Sequence, residues 1–299
     1  MSKKPIQSVF HKVERDLVKV SSRQNAESVH RFRSAARRLE TLLAELVPEQ
    51  ERPHRKLLKA LGRIRKRAGK LRDLDVQVAA LRSLKVPQEP RRKSQLMNSL
   101  IELRAEHERK LRKALNKQVI RDTRKRLKRA AKDVKSATVA NPLAVARKML
   151  GQPPDPQARG TLTGKLTEDL LHHYRVISKR ARYIAELAPP SAEATEFITQ
   201  LKRMQDASGD WHDWFTLTHT AAKRFGDVHE SSLVALLHNV TGAKFRNAVT
   251  AFSGLRSAHT THTPPLKPAH KPTSESAALT RRGTQGQPRK TAPPAATAA

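Results

Sequence analysis

The sequence contains no cysteine. Disulfides, Cys-ligated zinc and thiol nucleophiles are thereby excluded, and a reducing cytoplasm is the expected setting. Aromatic residues are only 4% of the chain, too few to suggest the stacking platforms that hold single-stranded nucleic acid. Glycine is scarce, 11 in 299 residues, and the apolar residues recur with helical rather than alternating period, which argues against a β-protein. No stretch approaches the roughly 20 apolar residues of a membrane span. The start, MSKKPIQSVFHKVERDL, lacks the apolar core of a signal peptide. No Walker loop, nucleophile elbow or HExxH motif is present, so neither catalysis nor a cofactor is expected. Acidic residues are short as well: 27 Asp plus Glu face 60 Lys plus Arg, a formal net charge of +33. Such a charge predicts a polyanionic partner: nucleic acid, an anionic membrane surface or inorganic polyphosphate.

What is there is mostly helix. The spacing predicts amphipathic helices over about 5–20, from the N-cap Asn25 to Val47, from the first-turn Pro53 to about Lys85, over 91–135 with a break near 120, then over 162–188, 192–224 and 229–255. Asn141-Pro142 and GQPPDPQARG make 137–160 read as a linker between a first helical repeat (about 5–136) and a second (about 161–256). From 257 the chain is rich in Pro, Thr and Ala with almost no large apolar residue. It reads as a disordered basic tail, 257–299, in which Lys267, Lys271, Arg281, Arg282, Arg289 and Lys290 could touch nucleic acid or simply keep the chain soluble.

The two repeats carry one pattern twice. VHRFRSAARRL (29–39) and LHHYRVISKRAR (171–182) align at an offset of 142, placing His30 on His172, Phe32 on Tyr174, Arg33 on Arg175, Arg37 on Lys179 and Arg38 on Arg180. GKLRDLDVQ (69–77) aligns with GDWHDWFTL (209–217) at 140, placing Gly69 on Gly209, Arg72 on His212 and Asp73 on Asp213. At about 100° per residue, Val29, Phe32, Ala35, Ala36, Leu39, Leu42, Leu43 and Leu46 fall opposite a stripe of His30, Arg33 and Arg37. Leu170, Leu171, Tyr174, Ile177, Ala181 and Ile184 fall opposite His172, Arg175 and Lys179. Amphipathicity explains the apolar arcs. It does not ask for His-then-Arg twice, and two like stripes that face each other would need an anion between them.

A third basic stripe lies on the following helix. Arg52, Arg55, Lys56, Lys59, Arg63, Lys66, Arg67 and Lys70 fall within about 120° of one another along roughly 27 Å. Like charges at i, i+3 and i+4 repel by a few tenths of a kcal/mol per pair, a cost that an extended polyanion would relieve.

These motifs resemble the CHAD family, the conserved histidine α-helical domain. The resemblance rests on VHRFRSAARRL with LRDLDV and on LHHYRVISKRAR with SGDWHD, in that order, and covers roughly residues 5–256. It implies an all-α fold of two pseudo-symmetric antiparallel helical bundles with long hairpins. It also implies binding of inorganic polyphosphate, without catalysis, in a basic central groove, and cytoplasmic residence at polyphosphate granules. Carried over, His30, Arg33, Arg37, Arg38, His172, Arg175, Lys179 and Arg180 line the groove, His212 is the second-half histidine, and Arg72 stands at its first-half counterpart. Arg182, in the second basic motif, and Lys59, Arg63, Lys66 and Lys70, from the third stripe, complete the expected site. Ser34 and Ser178 stand among expected small apolar positions, and Ala181 replaces the Leu that Leu39 supplies in the first copy; these departures bear on packing.

Asp206, Asp210 and Asp213, at i, i+4 and i+7, share a helix face and could hold Mg²⁺, but pairing with basic neighbours is the expected role, with no metal bound. CHAD domains are often fused to a triphosphate-hydrolysing barrel, and no strand region of that kind is present. Two other functions fit the composition: a histone-like coat on nucleic acid, and an adaptor that brings another protein to granules through the tail and the helix over 91–135.

Overall fold

A computed structural model describes residues 5–47, 52–135, 137–151 and 167–260. Every regular element among them is a helix: α1 (Pro5–Ser22), α2 (Ala26–Leu46), α3 (Arg52–Ser83), α4 (Pro90–Ala114), α5 (Lys117–Asp133), α6 (Pro142–Gly151), α7 (Glu168–Ala185), α8 (Ala192–Phe225) and α9 (Ser232–Thr260). Short polar side chains start several of them by accepting the otherwise unpaired N–H groups of the first turn. Asn25 accepts from the Ser28 N–H (2.9 Å), Thr167 from Leu170 (3.3 Å) and Ser191 from Ala194 (3.0 Å). Gly226 ends α8 at φ 84°, a conformation that L side chains rarely adopt.

The break expected within 91–135 falls at Leu115 and Asn116, slightly before 120, because Asn116 accepts from the Val119 N–H (2.9 Å) and starts α5 afresh. One expectation is corrected. The linker over 137–160 contains α6: Asn141 (φ 42°) accepts from the Ala144 N–H (3.1 Å), and Pro142 opens the helix. Asn-Pro, read as loop punctuation, is also the pair that caps and begins a helix. The tail assigned from 257 begins inside α9, which runs to Thr260; residues 261–299, like 152–166, lie outside the described residues.

The duplication is visible in the element order. α2, α3 and α4 begin at Ala26, Arg52 and Pro90; α7, α8 and α9 begin 142, 140 and 142 residues later, at Glu168, Ala192 and Ser232. α6 precedes α7 as α1 precedes α2, and α5 lies outside the repeated order, packed on α1 and α3. The halves meet like on like, α2 against α7 and α3 against α8, the contact pattern of a pseudo-two-fold axis.

The apolar arcs read from sequence form the core. Val29, Phe32, Ala36, Leu39, Leu42 and Leu43 of α2, and Leu171, Ala181 and Ile184 of α7, are fully enclosed, while Leu46, Leu170 and Ile177 are partly buried. Ser178 is also fully buried; its hydroxyl donates back to the Arg175 carbonyl (3.2 Å), which supplies the partner a buried polar group requires. A second apolar cluster closes the far end, joining Leu74, Val78 and Leu81 of α3 with Leu217 and Ala221 of α8 and with parts of α4 and α9.

Glu89, just before α4, ties that end together. Its carboxylate accepts from Ser231 Oγ (2.7 Å) and the Leu233 N–H (2.9 Å) at the start of α9, and meets Arg92 at 3.0 Å. These bonds, the Leu233 N–H foremost, hold its carboxyl below the usual range. Loss of a comparable cap costs about 0.5–2 kcal/mol. Glu89→Ala should therefore lower the melting temperature by about 2–6 °C, and a thermal melt at pH 7 checks it. An unchanged melting point would show that α9 does not depend on this bridge.

Candidate functional site

The two apolar clusters part at one level. Leu71 and Trp211 belong to the first cluster, Leu74 and Leu217 to the second. Between these positions stand Arg72 and Asp73 on α3, and His212 and Asp213 on α8. Here the polar stripes of α2 and α7 come together.

Arg33 of α2 reaches α3, where its Nη1 lies 3.3 Å from Asp73 Oδ1. Its guanidinium covers Gly69, 3.8 Å from where a Cβ would stand. Alanine would make ordinary contact there; a longer side chain would displace Arg33. Gly209, the matched glycine, has open space around it, so the matched glycines have different surroundings. The His172 and His212 rings lie 5.2 Å apart, centroid to centroid.

Electrostatics show how closely the rest gather. Arg175 feels Asp213 of its own half and Arg33, Arg37 and Asp73 of the other, and burial with neighbouring cations lowers its pKa. The pKa of Arg33 is lowered by burial, with Asp73 opposing and Arg37 and Arg72 contributing. Burial and the Arg175 and Arg37 charges bring Lys179 down to about 7. Burial, Arg175 and His172 bring His212 down to about 3. Lost hydration lowers His30 and His172 too, with Arg72 next for the former and Arg175 for the latter. Asp213 is raised by burial in spite of Arg175 and Lys179. The cluster therefore sets five cationic side chains, Arg33, Arg37, Arg72, Arg175 and Lys179, against two carboxylates, Asp73 and Asp213, with three largely neutral histidines beside them. Positive charge is in excess, and the groups feel one another across both halves.

The structure does not bring every expected residue here. Arg38 pairs with Glu186 at 2.8 Å and Arg182 meets the same carboxylate at 3.5 Å. Both guanidiniums lie over the Tyr183 ring, 5.9 and 5.5 Å from its centroid. These two arginines share the single Glu186 carboxylate in a seam between α2 and the end of α7. Arg180 is exposed on α7, and Lys59, Arg63, Lys66 and Lys70 are exposed on a different stripe of α3. Asp210 pairs with Lys244 at 2.8 Å, and Asp206 is exposed.

Sequence reasoning expected Asp213 to pair with basic neighbours, but placed neither it nor Asp73 in the site. The signal was present: both repeats keep an Asp at the matched position. It also missed His107, Lys110 and Lys113 of α4, which face the outer stripe of α3 across an open groove. No repeat marks those residues.

The CHAD domain family model matches residues 6–222, most of the chain, and takes in every residue of the basin. The chain belongs to the CHAD domain family. Its fold is similar to the crystal structure of the CHAD domain from the plant Ricinus communis, with a TM-score of 0.61 at 15% identity over 85% of this chain and 89% of that one. No curated protein matches the sequence significantly. The all-helical architecture expected for a CHAD domain is the one observed, and among the described residues no helix is long and apolar enough to cross a membrane.

Proposed function

We propose that this CHAD domain binds inorganic polyphosphate, without catalysis, in the basin between α2, α3, α7 and α8. The observation that carries the reading is the meeting of two basic stripes, one from each half, with too few carboxylates to neutralise them. Bringing five cations together in a partly desolvated place is costly, and a dense polyanion offsets that cost. Arginine can grip phosphate oxygens with two parallel N–H groups, and a protonated Lys179 adds a point charge. Three of the aromatic residues on the same helices support the choice of ligand, while Trp214 and Phe215 are partly buried against the two apolar clusters. Trp211, Tyr174 and Tyr183 are buried in packing and offer no stacking face to a nucleobase. Asp210, tied to Lys244, and Asp213, set among cations, are read as charge partners that position the basic side chains. Association of the protein with polyphosphate granules in the cytoplasm follows as part of this proposal.

Direct titration calorimetry with polyphosphate tests it. Affinity should fall about 100-fold between 0.05 and 0.2 M salt if some five phosphates are contacted. It should also rise as the pH falls. An anion raises the pKa of every nearby base, so Lys179, near 7 when the basin is empty, takes up a proton on binding at pH 8. His30 and His172, lowered when empty, do so nearer pH 6. Each coupled proton strengthens binding by up to about tenfold per pH unit within its window. Equal affinity at pH 8 and pH 6 would remove Lys179 and the histidines from the site.

A further inference from the structure

α3 carries a second basic surface that begins one residue from the first. Gly69 lies under Arg33 in the basin, and Lys70 beside it is exposed. From Lys70 the outer stripe runs back to Arg52, about 27 Å along the helix, and the stripe residues in this span have no ion-pair partner among the described residues. Its near half forms one wall of an open groove of about 690 Å³, with Lys110 and Lys113 of α4 opposite. At its far half Arg126 and Arg129 of α5 join Arg52 and Lys56 around a further 380 Å³. The one carboxylate at that edge, Asp133, is 3.5 Å from the buried His54. Such a track begins beside the basin, is predominantly basic, with carboxylates only at its edges in Glu106, paired with Lys110, and Asp133, and is much longer than any compact anion.

We propose that the outer stripe of α3 is a track for the continuation of a polyphosphate chain anchored in the basin, and that it makes this CHAD domain select long chains over short ones. The inference rests on the polyphosphate reading above. Exposed cations such as these hold a free anion weakly, each contributing little against solvent and salt. Once one end is anchored, the remaining contacts become intramolecular, and weak contacts then add to affinity. A short chain fills the basin and never reaches the track.

The test uses the full chain at about 0.15 M salt, where the Debye length of about 8 Å prevents the track from acting on the basin at a distance. Arg63, Lys66, Arg67 and Lys70 are replaced together by Gln, exposed positions at which the change relieves like-charge repulsion. The probes are tripolyphosphate, a polymer of about one hundred phosphates, many times longer than the track, and duplex DNA. The quadruple variant should lose about 10- to 100-fold in affinity for the polymer and about twofold or less for tripolyphosphate. Equal losses for both probes would overturn the proposal by making the track part of the basin. No loss for either would overturn it by making the stripe a bare surface, as would a loss confined to duplex DNA. If the unaltered protein binds neither phosphate probe, the polyphosphate reading itself falls, a result distinct from any failure of the track.

Discussion

Arg33→Ala combined with Arg175→Ala should reduce polyphosphate affinity by about 10³-fold. Each arginine is expected to make charge-assisted hydrogen bonds to phosphate, about 1.5–3 kcal/mol apiece, and a factor of ten is about 1.4 kcal/mol. The loss should exceed that of two average contacts because Arg33 is paired with Asp73 (3.3 Å) and Arg175 acts on Asp213 more strongly than any other cation. Removing both arginines leaves two carboxylates facing the ligand with three cations instead of five. The control is Arg38→Ala with Arg182→Ala. Those side chains serve Glu186 and Tyr183, so the control should lower the melting temperature and leave affinity within about threefold. Calorimetric titration of both double variants distinguishes the roles. Unchanged affinity in the first would refute the basin as the binding site, and a large loss in the second would show that the seam belongs to it.

Lys179→Met should make the ligand-free protein more stable while weakening its binding. Lys179 is brought down from 10.5 to about 7 by burial and by the Arg175 and Arg37 charges. Between those two values the unfolded chain holds a proton that the folded chain has released, so stability rises with pH across that window. Below about 7 both states hold it, and the folded protein carries the whole cost of an enclosed charge. A methionine of similar length removes that cost. With a discount for partial exposure, the gain is about 2 kcal/mol at pH 6, or about 4–8 °C in melting temperature. It should be smaller at pH 9, where the lysine can already discharge. Polyphosphate affinity at pH 6 should fall about tenfold or more, and the tightening between pH 8 and pH 7 should shrink. A variant that is destabilised at pH 6 would show that the ammonium is satisfied by its surroundings rather than strained by them.

Both predictions express one principle: a site for a dense polyanion is expensive to keep empty. Burial, together with the same field, pushes His212 down to about 3. At pH 5 the unfolded chain holds a proton there that the folded one lacks, so the empty protein should lose stability as the pH falls below 6.5.

Much of this was legible in the chain. The period of apolar residues set out the helices, and Asn25 and Pro53 marked where two of them begin. The offset of 142 announced the two halves. Legibility ended where one signal has two meanings. Asn141-Pro142 is a turn signal and a helix start, and only the packing of α6 on α7 chose between them. Arg37 and Arg38 are neighbours in one motif, yet one points to the basin and the other to Glu186. A rotation of about 100° per residue puts adjacent side chains on different faces, and sequence alone does not tell which face another helix will cover. Ser178 drew notice as a polar residue at an apolar position, but its partner, the Arg175 carbonyl, is local and invisible to a pattern.

By itself, then, the sequence determined an all-helical, duplicated chain with a large positive charge and a basic stripe on each copy, because helical period, caps and charge are local properties of the polymer. Which of those charges meet was decided only by tertiary structure. α2 packs on α7 and α3 on α8, and that crossing sets Arg33 and Arg175, 142 residues apart, in one field with two carboxylates. It also leaves Lys59, Arg63, Lys66 and Lys70 outside. Charge can be counted along a chain, but the free energy of a charge depends on its distance from others and on the water it has lost, and both are properties of the fold.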